Sequence, residues 1–259
     1  MFSMPVYNEE QGIVNFCLEI FQTFESFDIE LILVNDHSTD NSKSEITRNL
    51  LSRKELKIKL VDNDINLGHG PSTLIGIHHA LMIPGVESIV TVDGDGQFMA
   101  SDILRLVNYR RELNLDVVEG VRMNRQDPMF RKISTITCRF LVFATSGRLP
   151  KDGNTCLRVY KPDSLRLLIK QIRADFLVPN VLVASYTRIY KLAFAQVEIN
   201  SIPRRALNPL GSTWHQKFYR IPSRRYLTFC LKAISQWTLA FIKFRAKKFG
   251  SKIENSANL

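Results

Sequence analysis

Ser88–Gln97 reads SIVTVDGDGQ, an apolar and β-branched run, Ile89 to Val92, that closes on two carboxylates, Asp93 and Asp95, each followed by a glycine. β-branched residues suit a pleated, buried surface, so the stretch predicts a strand ending in acid. The same design recurs upstream. Phe2 to Val6 leads into YNEE, ELILVND covers Glu30 to Asp36, and KIKLVDN covers Lys57 to Asn63. Helical patterns fill the gaps, over Gln11 to Glu25, from about Ser42, and over Pro71 to Met82. Strands alternating with helices predict βαβ units, hence an α/β fold with a mostly parallel, Rossmann-like sheet flanked by helices. In such sheets ligands sit in the crevice beyond the strands' carboxyl ends, where these acids and amides fall.

Further along, a helix is expected over Asp102 to Asn114, capped by Ser101 or Asp102, then a strand in DVVEGVR. The arginine-rich GVRMNRQDPMFRK leads into a helix over about Ile133 to Thr145. KDGNTCLRVYK reads as a turn and strand, PDSLRLLIKQI as a helix and AFAQVEINSIP as a late strand.

At 259 residues and 45 % hydrophobic content the chain can bury one large core with an appended tail, which excludes a small disulfide scaffold or a disordered segment. Cys17, Cys138, Cys156 and Cys230 form no CxxC pair, so reduced thiols are expected rather than a zinc cage or disulfides. The opening MFSMPVYNEE lacks the basic and apolar regions of a secretory signal, so a cytoplasmic location is expected. The net charge of +10 is uneven: from Pro203 onward twelve Lys and Arg face one acid, Glu254. A near-neutral body with a basic tail points to a polyanionic surface. From Tyr226 to Phe249 apolar residues recur at close to helical spacing, with Lys232, Gln236, Lys243 and Lys247 opposite. This pattern fits a helix lying in an anionic membrane interface, giving peripheral association, or one packing on the domain itself. Aromatic residues on the apolar stripe fit lipid better than nucleic acid, and no nucleic-acid partner is expected.

Side chains two apart on a strand point the same way, so Asp93 and Asp95 can face one hard cation, with Gln97 as a third oxygen donor. Mg²⁺ or Mn²⁺ held by one or two carboxylates and a diphosphate is the usual form of such a site. An acidic pair in a turn is also often just solvated. What sets this pair apart is its company, because MPVYNEE, LVNDHSTDNS and NLGHGPST precede it in that order, each at a strand's mouth. NLGHGPST reads as a glycine-bearing anion cradle before a helix or as a plain turn using Gly68 and Gly70.

These four ordered motifs resemble the nucleotide site of family 2 glycosyltransferases with the GT-A fold, and the resemblance covers nearly the whole chain. It implies a GT-A domain over 1–215, with a nucleotide-binding half to about residue 100 and an acceptor half beyond, followed by a basic amphipathic helical tail over 216–259. It implies that Pro5, Tyr7 and Glu9 line the nucleoside pocket, that Asp36 contacts the base, that Gly68 belongs to the phosphate loop, and that Asp93, Asp95 and Gln97 hold the divalent metal. His37 stands where the family commonly has glycine.

VEGVRMNRQDPMFRK followed by KDGNTCLRVY is similar to the branch that glycosylates polyprenyl phosphates, the dolichol-phosphate mannose synthases and their bacterial relatives. That likeness implies that Arg122, Arg125 and Arg131 clamp the donor diphosphate and the lipid phosphate. It makes Asp152 and Arg158 site residues, and Arg205, Gly211 and Ser212 the segment that closes over the acceptor. Cys156 replaces the glycine that the branch commonly has before Leu-Arg. The implied activity is direct, inverting transfer of a hexose from a GDP-mannose or UDP-glucose type donor to a polyprenyl or dolichyl phosphate. A saccharide or other hydroxyl acceptor, with Asp152 as base, is the alternative, and an inactive donor-binding subunit a further one. Retention of Asp93, Asp95 and Gln97 argues against the last. His69, His78 and His79 are expected as loop or helix-surface residues.

Overall fold

The computed structural model describes residues 1–123, 129–205 and 224–257, and within these every side chain but those of 130, 131 and 245–257. Its sheet runs β3-β2-β1-β4-β6-β5-β7, formed by β1 (Phe2–Val6), β2 (Leu31–Asn35), β3 (Ile58–Asp62), β4 (Ile89–Thr91), β5 (Val117–Met123), β6 (Arg158–Tyr160) and β7 (Phe194–Asn200). All neighbours are parallel except β6, which runs against both β4 and β5. The chain leaves β1 toward β2 and β3 on one side and places β4 on the other. A crevice therefore opens beyond the carboxyl ends of β1 and β4, at the topological switch point.

Period-two alternation sorts the core into two layers. Phe2, Met4, Leu31 and Leu33 pack with Phe16 and Ile20 of α1 (Ile13–Thr23) and Ile103 and Leu106 of α4 (Ala100–Glu112). Ile32, Val34 and Ile89 face the other way, against α3 (His69–Met82), α6 (Pro162–Ile169) and α7 (Pro179–Ile189). Burial on both faces explains why β2 reads LILV with no polar interruption. α2 (Ser42–Ile46) continues into one wide turn, Thr47–Leu51.

Two expectations shift. α4 begins at Ala100, before Ser101 and Asp102, because Glu19 of α1 accepts the Ala100 N–H at 2.8 Å and satisfies the helix start from across the domain. α7 has no counterpart in the sequence reading. Pro179 through Arg188 are all buried, so the helix lacks the polar face that betrays an amphipathic segment.

α5 (Met129–Ser146) and the long α8 (Arg224–Ala257) lie on the outer side of α7. Gln236 pins α8 to the domain, accepting from the Leu177 N–H at 2.8 Å and donating to the Asp175 carbonyl at 3.1 Å. Phe244 stacks near Tyr186, 5.5 Å between ring centres, and Trp237 joins the cluster with Val142 and Val181. The tail helix thus packs on the domain along one face, while Leu227, Leu231, Leu239 and Ile242 remain exposed on another.

Candidate active site

The mouths of β1 and β2 are zipped together by short polar side chains. Asn8 takes φ +56°, a conformation that asparagine tolerates, and exchanges hydrogen bonds with Ser38 and Thr39. Ser42 Oγ accepts the Glu9 N–H at 2.7 Å. His37 takes φ +57°, the left-handed conformation that explains why glycine is common there. The buried Pro5 offers its carbonyl to the Gly94 N–H at 3.1 Å, which draws the acidic turn onto β1. Tyr7 stands half-buried at the rim.

Asp36, expected to contact the base, has both carboxylate oxygens engaged by the protein. Its Oδ1 accepts from the Leu67 N–H and Asn63 Nδ2, at 2.8 and 2.9 Å, and its Oδ2 from the Gly68 N–H at 2.8 Å. The carboxylate shapes the loop that opens α3, where Gly68 takes φ +91° and Gly70 lets the helix approach the Phe176 and Leu177 carbonyls.

The acidic pair also differs from the strand picture. β4 ends at Thr91, so Asp93 and Asp95 lie in the turn beyond it and each meets its own basic side chain, His69 or Arg204. His69 is exposed at the start of α3, as expected, and sets Nε2 2.8 Å from Asp93 Oδ1. Burial raises the Asp93 carboxyl, but the charge and hydrogen bond of His69, the hydrogen bond of Cys156 and the charge of Arg122 together override it and hold the group at about 2. Asp93 in turn outweighs the desolvation of His69 and raises its imidazole. Asp95 is pushed up by burial and then by Asp93, against the pull of Arg204.

Arg204, which the sequence reading passed over for its neighbour, reaches Asp95 Oδ2 with Nη2 at 3.0 Å and Nε at 3.1 Å, and Glu9 Oε1 at 3.3 Å. Glu9 is 4 % exposed and its Oε2 has no hydrogen-bond partner. Desolvation, partly offset by Arg204, lifts its carboxyl to about 7.

Arg205, expected to close over the acceptor, turns toward α1 and the acidic turn. It pairs with Glu19, donates to the Gly96 carbonyl at 3.0 Å and lies 4.9 Å over the Phe16 ring, riveting its segment to the acidic turn. Arg158 is fully buried on β6 between Glu119 and Asn180, which makes it part of a core ion pair rather than a substrate contact. Arg122 and Asp152 do meet at the crevice, at 2.8 Å, close enough for Arg122 to act on Asp93. Cys156 lies beside them with its thiol against Asp93, and burial raises that thiol well above its ordinary value. Arg125, Gly211 and Ser212, and the side chain of Arg131, lie outside the described residues.

Two carboxylates in one turn, with Gln97 beside them, are donors of the kind that hard divalent cations take. Among the described residues no three His, Cys, Asp or Glu side chains group as a closed metal cage. The pair therefore fits a cation that completes its shell with phosphate oxygens and water, the common habit of Mg²⁺.

The sequence profile of glycosyl transferase family 2 matches residues 2–166, more than half of the chain and every one of these motifs up to Arg158. The chain belongs to glycosyl transferase family 2. An undecaprenyl-phosphate 4-deoxy-4-formamido-L-arabinose transferase of Pectobacterium carotovorum subsp. carotovorum is 32 % identical over 165 residues, 61 % of this chain and 47 % of that protein. The enzyme of the same name from Pectobacterium atrosepticum is 29 % identical over 192 residues, 71 % of this chain and 55 % of the other. This family 2 chain thus spans about half the length of the curated relatives it matches. Among solved structures, glucosyl-3-phosphoglycerate synthase from Mycobacterium tuberculosis with phosphoglyceric acid aligns at a TM-score of 0.61 and 15 % identity, covering 92 % of this chain and 78 % of that one. The same synthase with Mn²⁺, uridine-diphosphate and glucosyl-3-phosphoglycerate aligns at 0.58 and 13 %, with the same coverage. At these identities the likeness is one of fold, and the fold is GT-A.

Proposed function

We propose that this family 2 enzyme transfers a hexose from a nucleotide-diphosphate sugar to a polyprenyl phosphate, with inversion and with a divalent cation, Mg²⁺ or Mn²⁺. The observation that carries the acceptor assignment is the state of Asp152. A hydroxyl acceptor needs a base to take its proton, whereas Asp152 has both oxygens engaged by Arg122, at 2.8 and 3.2 Å. A phosphate acceptor is already an anion near neutral pH and needs a cation instead. Arg122, desolvated yet with a pKa raised by Asp152, is such a cation, near enough to Asp93 to act on its charge. The polyprenyl-phosphate specificity in the names of the related transferases supports the same reading.

Asp93 and Asp95 would hold the cation, with Gln97 in the same turn. When bound, that cation supplies Lewis-acid stabilisation of the leaving diphosphate. Glu9 and Tyr7 lie where a nucleoside would enter, Glu9 with one oxygen lacking a partner. The loop held by Asp36 presents the start of α3 to the phosphates.

Membrane association at the cytoplasmic face belongs to the same proposal. No helix among the described residues is long and apolar enough to cross a bilayer. Instead α5 exposes Met129, Ile133, Ile136, Phe140 and Phe143 at one helical face, and α8 beside it exposes Leu227 and Leu231. Ser134 of α5 touches Tyr226 of α8, so the two helices meet near the start of α8. The positive excess of the chain lies in the segment that contains α8. Apolar stripes flanked by Lys and Arg suit an anionic lipid surface.

The test is transfer from a panel of UDP- and GDP-hexoses with Mn²⁺ or Mg²⁺, with a short polyprenyl phosphate or a free saccharide as acceptor. Product requiring both metal and lipid phosphate is expected. Transfer to the saccharide alone would overturn the acceptor assignment.

A further inference from the structure

We infer that Arg204 is a built-in counter-ion of the acidic turn, which must leave Asp95 for the divalent cation to bind and thereby makes metal and nucleotide diphosphate bind cooperatively. The inference rests on the proposed metal site. Arg204 reaches Asp95 Oδ2 with both Nη2 and Nε, and the other oxygen, Oδ1, accepts the Gln97 N–H at 3.2 Å. A cation ligated by Asp95 would face a guanidinium carbon only a few ångströms away, with little water between them. Like charges that close repel strongly at the effective dielectric of a protein surface, the more so when one of them is divalent. The two cations therefore exclude each other at this carboxylate.

The backbone allows the exchange. Ile202 N–H donates to the Gln97 carbonyl at 3.0 Å and Arg205 N–H to the Asp95 carbonyl at 3.2 Å, so the segment is laced to the turn independently of the Arg204 side chain. Gly96, at φ +65°, leaves the space through which the Arg205 side chain passes. Arg204 can thus swing while its segment stays in place. Its departure would leave Glu9 and Asp95 without their cation, a loss that the metal makes good at Asp95. A donor diphosphate gives the displaced guanidinium a new anion. Metal alone then works against Arg204, and metal with diphosphate works with it, which is a coupling free energy between two ligands.

The experiment measures Mn²⁺ binding by EPR and calorimetry to the whole chain and to Arg204→Gln, each with and without UDP or GDP. In the wild type, nucleotide should tighten Mn²⁺ by tenfold or more. In Arg204→Gln, Mn²⁺ alone should bind at least tenfold tighter than to the wild type, and the gain from nucleotide should shrink. Arg204→Lys, which keeps the charge and loses the two-point contact, should fall between them, and circular dichroism reports whether each variant is folded. Nucleotide-dependent Mn²⁺ binding that Arg204→Gln leaves unchanged or weakens would overturn the counter-ion role while sparing the metal site. Absence of Mn²⁺ binding from all three proteins, with nucleotide present, would overturn the metal site and this role together.

Discussion

Arg122 and Asp152 lock together through two hydrogen bonds, Nε to Oδ2 at 2.8 Å and Nη2 to Oδ1 at 3.2 Å, at the point where β5 leaves the sheet for the crevice. The Arg122 side chain also donates to the Asn154 carbonyl, so the pair ties the end of β5 to the loop before β6. With side chains 14 % and 5 % exposed, neither charge is free to rehydrate when the other is removed. Asp152→Ala should therefore cost on the order of 3 kcal/mol, read as a lowered urea midpoint. Transfer activity should fall at least tenfold, because an Arg122 freed from Asp152 loses its fixed direction.

Glu119 sits beneath the site with no exposure, between Arg188, at 2.8 Å, and Arg158, at 3.6 Å. One carboxylate serves two buried guanidinium groups, and Nε and Nη2 of Arg158 already lack hydrogen-bond partners. Removing the anion would leave two cations in the interior. Glu119→Gln should destabilise the fold by about 3–5 kcal/mol, seen by urea denaturation, with the loss of activity following the loss of folded protein.

The sheet was legible because each of its buried strands carries an apolar run closed by a polar residue, as in LILVND. α7 was not, since a helix buried all round shows no period to find. At the site, the motifs located the crevice but not the partners of its acids. The choice between Arg204 and Arg205 illustrates why. Adjacent residues of an extended segment point opposite ways, and the pairing of Ile202 and Arg205 with the acidic turn decides which one faces inward. That pairing joins positions about a hundred residues apart, and no local pattern encodes it. His69 was hidden in the same way, its carboxylate partner lying twenty-four residues further on.

Glu9 supplies a pH dependence whose sign follows from its surroundings. Burial raises its carboxyl from 4.5 to about 7, so the folded state binds the proton more tightly than the unfolded chain does. Below 4.5 both states are protonated and the group contributes nothing. As pH rises from 4.5 to 7 the unfolded chain ionises first, and stability falls by up to about 3 kcal/mol. Glu9→Gln should flatten this decline in thermal melts across the window and raise the melting temperature at pH 8. It should also weaken nucleotide binding.

Gly70 bears on the loop proposed to face the phosphates. A Cβ there would stand 2.3 Å from the Phe176 carbonyl oxygen and 2.4 Å from that of Leu177, both backbone atoms that cannot rotate aside. Gly70→Ala should push the start of α3 outward and carry with it the loop that Asp36 holds. The expected outcome is a lowered melting temperature together with weaker binding of UDP or GDP by calorimetry. A loss of nucleotide affinity with melting unchanged would show that the helix had moved without harm to its packing.

The membrane proposal makes a demand on residues that the fold itself does not use. Ile136 of α5 is 63 % exposed and Leu231 of α8 is 69 % exposed, so replacing both by glutamate removes little buried area and should leave the melting temperature within a degree or two. On an anionic bilayer the same change removes two apolar contacts and adds two charges of the wrong sign. Sedimentation with liposomes containing anionic lipid should therefore fall several-fold for Ile136→Glu with Leu231→Glu, while wild-type binding should weaken as salt is raised. Transfer to a short, water-soluble polyprenyl phosphate should survive the double change, because neither residue touches the crevice. Transfer to a long-chain acceptor presented in the vesicle should drop with the binding. Equal sedimentation of both proteins would show that the apolar stripes serve some contact other than lipid.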